Sequence, residues 1–339
     1  MTASPSVMAV PAVVDVVLPA YNGAAIIRKA LESALGQDVP LRVIVVDDGS
    51  TDNSAEIARS YGHRVHVIVQ ANRGVSGARN AALASAQAPY IAFLDQDDIW
   101  KPGKLRRQVA LMERHPEVGI VFTDMRIVRP DGTVIEDGFL SSTKEYSTLE
   151  RAPLGENAFL IEAALGQAIG RANFISPSTA LVRRSALGDI GGFDEQFRLC
   201  DDADCWMRLL HRWRGISIEE TLVLSLMYSE NASLVKWRGM LEERLAIGEK
   251  TGKRPELFWP GTADYFRKER PLTYYRLGIG ELGAGNVQKA RSWFAKSLRD
   301  QWHSTTALAY ASTWLPPFAR DGALRLKRAA GLRWSLPAE

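Results

Sequence analysis

Short apolar runs alternate with amphipathic stretches through the first third of the chain, and this alternation predicts the fold. Val13 to Leu18 is nearly all apolar, broken only by Asp15, and Pro19 is expected to stop it. Such a run suits a central strand of a parallel sheet, covered on both faces. Ala20-Tyr21-Asn22-Gly23 reads as a turn, with Asn22 placed to cap a helix whose apolar positions Ile26, Ile27, Ala30, Leu31 and Leu35 recur at helical spacing. Leu41 to Val46 is a second strand, ending in Asp47-Asp48-Gly49-Ser50. A helix over roughly 53–61 and a strand from Val65 to Val69 follow. Asn72-Arg73-Gly74-Val75-Ser76-Gly77 then opens an alanine-rich helix leading to the strand Tyr90-Ile91-Ala92-Phe93-Leu94. Repeated strand–helix alternation predicts a mostly parallel sheet with right-handed crossovers.

The remainder reads more coarsely. Lys104 to His115 is an amphipathic helix with Leu105, Val109 and Met112 on one face, ended by Pro116. Val118 to Phe122 is a strand, and Ile127-Val128 and Val134-Ile135 flank Arg129-Pro130-Asp131-Gly132, a hairpin signal. Residues 138–172 have weak periodicity and assign no elements. Thr179 to Val182 is a short strand, Gly191-Gly192-Phe193-Asp194-Glu195 a tight turn, and Asp201-Asp202-Ala203-Asp204 starts a helix carrying Trp206, Leu209, Leu210 and Trp213. Beyond about Trp237 the chain turns helical. Leu277-Gly278, Gly285-Asn286, Ala290 and Phe294-Ala295-Lys296-Ser297-Leu298 look like one tetratricopeptide-type hairpin. A lone repeat cannot bury its own faces, so it is expected to pack on the first domain or on another subunit. From Arg320 to Trp334 stand five basic residues and one acid, with Leu324, Leu326, Ala330 and Leu332 among them. A helix lying on anionic lipid and a solvated terminal helix both fit that composition.

Composition narrows the class. The chain of 339 residues, 46% hydrophobic and 24% charged, is that of a globular protein with a sizeable core. Two domains are expected, at 1–235 and 236–339. A net charge of +3 is too small to argue for nucleic acid. Cys200 and Cys205 make neither a disulfide framework nor a metal pattern, and they fit a reducing compartment. No basic residue precedes the N-terminal apolar residues, Pro11 and Asp15 interrupt them, and no run approaches the ~20 residues of a membrane span. The expectation is a cytoplasmic protein, able to sit peripherally on the inner face of the cell membrane.

The chemistry concentrates at Asp95-Gln96-Asp97-Asp98, where carboxylates crowd the end of a buried strand. They repel one another unless a cation sits among them. Mg²⁺ or Mn²⁺ takes carboxylate oxygens, keeps waters, and uses substrate phosphates as its other ligands. A solvated acidic loop is the plain alternative. The position favours a site, because open α/β sheets bind ligands beyond the carboxyl ends of their strands.

Four motifs now stand in order: Pro19-Ala20-Tyr21-Asn22; Val46-Asp47-Asp48-Gly49-Ser50-Thr51-Asp52; Asn72-Arg73-Gly74 with Ala78-Arg79-Asn80; and Phe93-Leu94-Asp95-Gln96-Asp97-Asp98. Together they resemble the nucleotide-binding half of family-2 glycosyltransferases, and the resemblance covers roughly residues 12–233. It implies a GT-A fold, an α/β architecture with a mixed, mostly parallel sheet flanked by helices, here with a helical C-terminal extension. It further implies a nucleotide-diphosphate sugar donor, a UDP-sugar by preference, with Mn²⁺ or Mg²⁺, and inverting transfer of one sugar to an acceptor hydroxyl. The commonest setting is cell-envelope or exported polysaccharide synthesis.

Carried over by position, the resemblance puts Pro19, Tyr21 and Asp47 around base and ribose, with Asn22 and Asp48 beside them. An ionised Asp47 only accepts hydrogen bonds, which suits the imide N–H of a uracil-type base. A turn residue is the alternative for Asp48. Arg79 falls near base and phosphates, with a surface salt bridge as its alternative. Asp95 and Asp97 match the DxD pair, Asp97 being the direct metal ligand, and Gln96 stands where a small residue is usual. Asp202 falls on the general base, with Asp201 in place of the usual Glu. Acids in a first helical turn also favour the macrodipole, so capping is the alternative for Asp201, Asp202 and Asp204.

Two departures are visible. Tyr228-Ser229-Glu230-Asn231 lacks the usual Arg and His, so leaving-group stabilisation rests more on the metal, or the enzyme is slow or inactive. Arg212-Trp213 lacks the Gln of the processive Gln-x-x-Arg-Trp motif, Leu209 standing there, which favours single-sugar addition. Two other readings stay open: a sugar-nucleotide nucleotidyltransferase, which expects a glycine-rich basic loop where Pro19 to Gly23 stands, and an inactive module recruiting partners through the helical tail.

Overall fold

The computed structural model describes residues 11–161, 164–227 and 237–316. The chain divides into two compact units. The first comprises residues up to Val235 together with Glu256–Trp259, and the second holds the other residues from Lys236 on.

The first unit begins as expected. Strands β1 (Val14–Ala20), β2 (Leu41–Asp47), β3 (Val65–Val69) and β4 (Tyr90–Phe93) alternate with helices α1 (Ile27–Leu35), α2 (Ser54–Arg59) and α3 (Gly74–Ser85). The strands pair in parallel in the order β3-β2-β1-β4. β1 is buried along its whole length, so its one polar residue needs partners. Asp15 has them: Arg42 Nε at 2.8 Å and the backbone N–H groups of Gln87 and Ala88 at 2.6 and 2.8 Å.

Pro19 does not end β1, which runs on to Ala20 with Pro19 opposite Val46. The alternation explains the tolerance. Val17 C=O accepts from Leu94 N–H, so the N–H that Pro19 lacks would point the same way, past the end of β4. Asn22 does not cap α1 either, since the N-cap is Ile26 and makes no side-chain bond.

The strand order turns back after β4. In chain order come β5 (Asp98–Trp100), α4 (Lys104–Arg114), β6 (Val118–Val128) and β7 (Val134–Asp137). β6 is one long strand where a short one was expected, and it forms the expected hairpin with β7. The unreadable stretch holds helices α5 (Phe139–Ser142) and α6 (Lys144–Ser147), the hairpin β8 (Arg151–Gly155) and β9 (Ala158–Ile161), and α7 (Leu165–Arg171). The β8–β9 turn is made by Glu156 and Asn157, both left-handed at φ 52 and 58°. Then follow β10 (Ala180–Arg183), α8 (Arg184–Ile190), α9 (Asp201–Leu210) and β11 (Arg214–Leu226). β10 lies antiparallel between β4 and β6, and β11 runs parallel to β6, which completes a mixed sheet of eleven strands.

The second unit is helical, with helices Trp237–Lys253, Thr262–Gly283, Val287–Asp300 and Ser304–Ser312. The second and third of these form the hairpin, turning at Gly285 (φ 81°). Gly278 lies beneath the Phe294 ring, where an added Cβ would come within 2.5 Å of it. Among the described residues no helix is long and apolar enough to cross a membrane. Ser229-Glu230-Asn231 and the basic stretch 320–334 lie outside the described residues.

Candidate active site

The site lies where the order β3-β2-β1-β4 changes direction, at the carboxyl ends of β1 and β4. Four loops meet there, and side chains tie them together. Asn22, in left-handed backbone at φ 48°, accepts from Thr51 N–H at 2.9 Å and from the Thr51 hydroxyl at 3.2 Å. It joins the β1 loop to the β2 loop, which is why it is not free to cap. Gln96 joins the β1 loop to the β4 loop. Tyr21 N–H donates to Gln96 Oε1, and Gln96 Nε2 donates to Tyr21 C=O, both at 3.1 Å. The Tyr21 side chain is exposed.

The carboxylates divide by their partners. Asp47 is buried and accepts from the N–H and hydroxyl of Ser50 through Oδ1. Asp48 spends both oxygens on the turn into α3, taking Gln70 Nε2 at 2.7 Å, Arg73 N–H at 2.9 Å and Gly74 N–H at 2.8 Å. Asp95 and Asp201 share one guanidinium: Arg79 gives Nη2 to Asp95 at 2.8 Å and Nη1 to Asp201 at 2.7 Å. Arg79 is buried, so this is an interior bridge and not a surface salt bridge. Burial alone would loosen its proton, but Asp201 and Asp95 outweigh that and hold it charged.

Among the described residues, Asp97 and Asp98 have no such cation in an ion pair. Burial first, and Asp95 second, push Asp97 up to about 6. Burial, with Asp97 and Asp95, holds Asp98 well above the usual carboxylate range, on the strand that pairs with β11. Among the described residues no group of three or more His, Cys, Asp or Glu has metal-holding geometry. A pair of carboxylates such as Asp95 and Asp97 is a donor set that suits an ion which keeps waters and binds substrate phosphates.

Asp202 follows Asp201 at the start of α9, where the N-cap is Cys200, which makes no side-chain capping bond. Asp202 Oδ1 takes Ala203 N–H at 2.8 Å and Oδ2 takes Asn173 Nδ2 at 2.8 Å. Burial and then the neighbouring Asp201 push its carboxyl up to about 7. Asp204 instead pairs with Arg208 at 2.7 Å. The motif reading missed Asn173 and also Ser178, whose hydroxyl accepts from Asp95 N–H at 3.0 Å. Their signal was faint, polar residues around the apolar pair Phe174-Ile175 in a stretch without periodicity.

A parallel sheet with acidic loops at its switch point, facing a helix that starts in carboxylates, is the ground plan of a sugar-transferring enzyme. The profile described as Glycosyl transferase family 2 matches residues 15–191, and the chain belongs to that family. It is 39% identical over 232 residues to TuaG of Bacillus subtilis (strain 168), named as a teichuronic acid biosynthesis glycosyltransferase, over 66% of this chain and 83% of the relative. It is 37% identical over 130 residues to chondroitin synthase of Pasteurella multocida (strain Pm70), over 37% of this chain and 14% of that one. Among solved structures it resembles S. aureus TarS 1-349 with UDP-GlcNAc at TM-score 0.57 and 18% identity, covering 88% of this chain and 90% of that one. A mannosyltransferase from Pyrobaculum calidifontis, with GDP-Man and Mn²⁺, gives TM-score 0.55 at 19% identity, covering 94% and 87%. At such identities the structural likeness is one of fold.

Proposed function

We propose that this glycosyltransferase is inverting, metal-dependent and non-processive. It moves one sugar from a nucleotide-diphosphate sugar, a UDP-sugar by first choice, to a hydroxyl of a saccharide or lipid-linked saccharide. The observation that carries the reading is the Arg79 bridge, which ties the acidic loop after β4 to the helix bearing Asp202. Nucleotide-sugar use is supported by structural neighbours in complex with UDP-GlcNAc and GDP-Man. Polysaccharide assembly is supported by the names of TuaG and chondroitin synthase, and a cytoplasmic enzyme at the inner membrane face would meet such acceptors.

In this reading Asp47 offers its second oxygen to the base, beside Pro19, Tyr21 and Asn22. Asp95 and Asp97 would hold the Mn²⁺ or Mg²⁺, with Gln96 and Asp48 keeping their loops in place. When bound, the cation acts as a Lewis acid on the diphosphate. Asp202 takes the proton of the attacking hydroxyl as its oxygen bonds to the anomeric carbon. The bond from that carbon to the diphosphate oxygen breaks, its electron pair leaves with the diphosphate, and the single displacement inverts the centre. A positioned base contributes typically ~10²–10⁴-fold.

A panel of nucleotide sugars with Mn²⁺ and candidate acceptors should release nucleoside diphosphate. In a separate arm, pyrophosphate release from a nucleoside triphosphate and a sugar 1-phosphate would mark a nucleotidyltransferase, and no release in either arm a binding module. Excess EDTA should abolish transfer and added Mn²⁺ or Mg²⁺ restore it; full activity in EDTA removes the metal assignment.

A further inference from the structure

Asn173 stands in the link between α7 and β10, outside every motif. Its Nδ2 donates to Asp202 Oδ2 at 2.8 Å, while its Oδ1 accepts the backbone N–H of Ile175 at 3.3 Å. The second bond fixes which way round the carboxamide stands. With Oδ1 spent on a backbone donor, the NH2 end faces Asp202, and such a donor favours the ionised carboxylate, the stronger acceptor.

The link is itself docked on the same helix. Ile175 C=O accepts from Trp206 Nε1 at 2.9 Å, and Phe174 is buried against Tyr146 with ring centroids 5.5 Å apart. Asn173 thus meets α9 with its neighbour already pinned one turn along the helix. Asp202 uses two of its roughly four lone-pair positions on Asn173 and Ala203. The residue as a whole stays partly exposed.

We propose that Asn173 is the positioning residue of the base: the NH2 it holds against Asp202 Oδ2 favours the ionised carboxylate, the form that takes the acceptor's proton. This rests on the reading of Asp202 as the base. The charged groups acting on Asp202 are Asp201 on its own helix and Arg79 from α3, with Asp95 behind Arg79. Burial and Asp201 raise its carboxyl, while Arg79, Ala203 N–H and Asn173 work in the lowering direction. Loss of the Asn173 donor therefore leaves the raising causes less opposed.

The test is a ¹³C-carboxylate NMR titration of the full chain labelled at aspartate, with the Asp202 signal assigned by its loss in Asp202→Asn. In Asn173→Leu that signal should titrate about one pH unit higher than in the parent. Asn173→Asp, which keeps the side chain's size but faces Asp202 with a like charge, should move it at least as far. Transfer by both variants should fall ~10-fold near pH 6.5 and recover towards pH 9, with donor KM unchanged. An Asp202 titration unmoved in both variants, or a loss of transfer equal at every pH, overturns the proposal. Near-normal transfer by Asp202→Asn removes the base reading instead, even where the Asn173 variants shift the titration.

Discussion

The aspartates of this chain share a side chain and differ in everything around it, and their partners decide what each can do. Asp15 and Asp202 are the two extremes. At Asp15 burial would raise the carboxyl, but the Arg42 bonds and the N–H groups of Ala88 and Gln87 prevail and hold it below the usual range. Its folded pKa is therefore depressed, so it stabilises the fold above the unfolded value and loses that contribution as pH falls through the folded one. Asp15→Asn keeps the shape but drops the ion pair, and should lower stability at pH 7 by ~3 kcal/mol, with a smaller deficit at pH 3. A deficit in urea unfolding that does not shrink in acid would contradict this. Asp202 has the opposite sign. Its carboxyl is raised to about 7, so the folded chain holds an extra proton between the unfolded value and about 7, and stability from this group falls as pH rises through that window. Asp202→Asn should thus be no less stable at pH 8, while kcat drops ~10²-fold or more. In the parent, transfer should rise with pH through about 7 as the base ionises. A flat pH profile, or near-normal turnover in Asp202→Asn, would take the base role away.

Between elements, the site depends on short polar clasps at the strand ends. An added Cβ at Gly23 would lie 2.2 Å from Gln96 Oε1, so the Gln96 side chain covers Gly23 while it holds Tyr21. Gly23→Ala should displace that carboxamide and break the same two bonds that Gln96→Ala removes. Each change should raise donor KM about fivefold, near ~1 kcal/mol, and the double variant should do no worse than either. Additive effects would show that the two residues act separately. The clasp also shows what the sequence could and could not reveal. The strands β1 to β4 were legible because each is a largely apolar run between turn residues, buried in β1, β4 and most of β2. Their ends were less so: the N–H that Pro19 lacks would point past the last residue of β4, and Asn22 answers to Thr51, far along the chain. Residues 138–172 were not legible because distant side chains hold their short helices, as when Asp124 accepts Leu140 N–H at 2.7 Å and Tyr146 donates to Ser217 at 2.7 Å. The acidic motifs located the candidate site, but Asn173 and Ser178 belong to it only by folding.

At the scale of the whole molecule, the boundary read from sequence at 235 leaves out a piece of the first unit. Glu256–Trp259 belongs with that unit although a helix of the second precedes it. Trp259 Nε1 donates to Leu210 C=O at 2.8 Å, at the end of the helix that Asp202 begins, and its ring fills the space over Gly166 on α7. Phe258 beside it is buried at 2% exposure. No periodicity marks four residues in a loop as core, so only the folded chain identifies them. Phe258→Ala in the full chain should cost ~3–5 kcal/mol, as for a large aromatic removed from an interior. Trp302, 71% exposed, supplies the contrast: Trp302→Ala should change stability by no more than ~0.5 kcal/mol. Trp259→Phe should fall between, because it keeps most of the packing on Gly166 but leaves the Leu210 carbonyl without its donor, a loss of ~1 kcal/mol. Urea unfolding followed by far-ultraviolet circular dichroism would rank the three. Equal effects for Phe258→Ala and Trp302→Ala would mean that residues 256–259 are no part of the first unit's core. The predicted order would place the minimal catalytic chain beyond residue 259 rather than at 235, since a chain ended at Val235 lacks both aromatic residues.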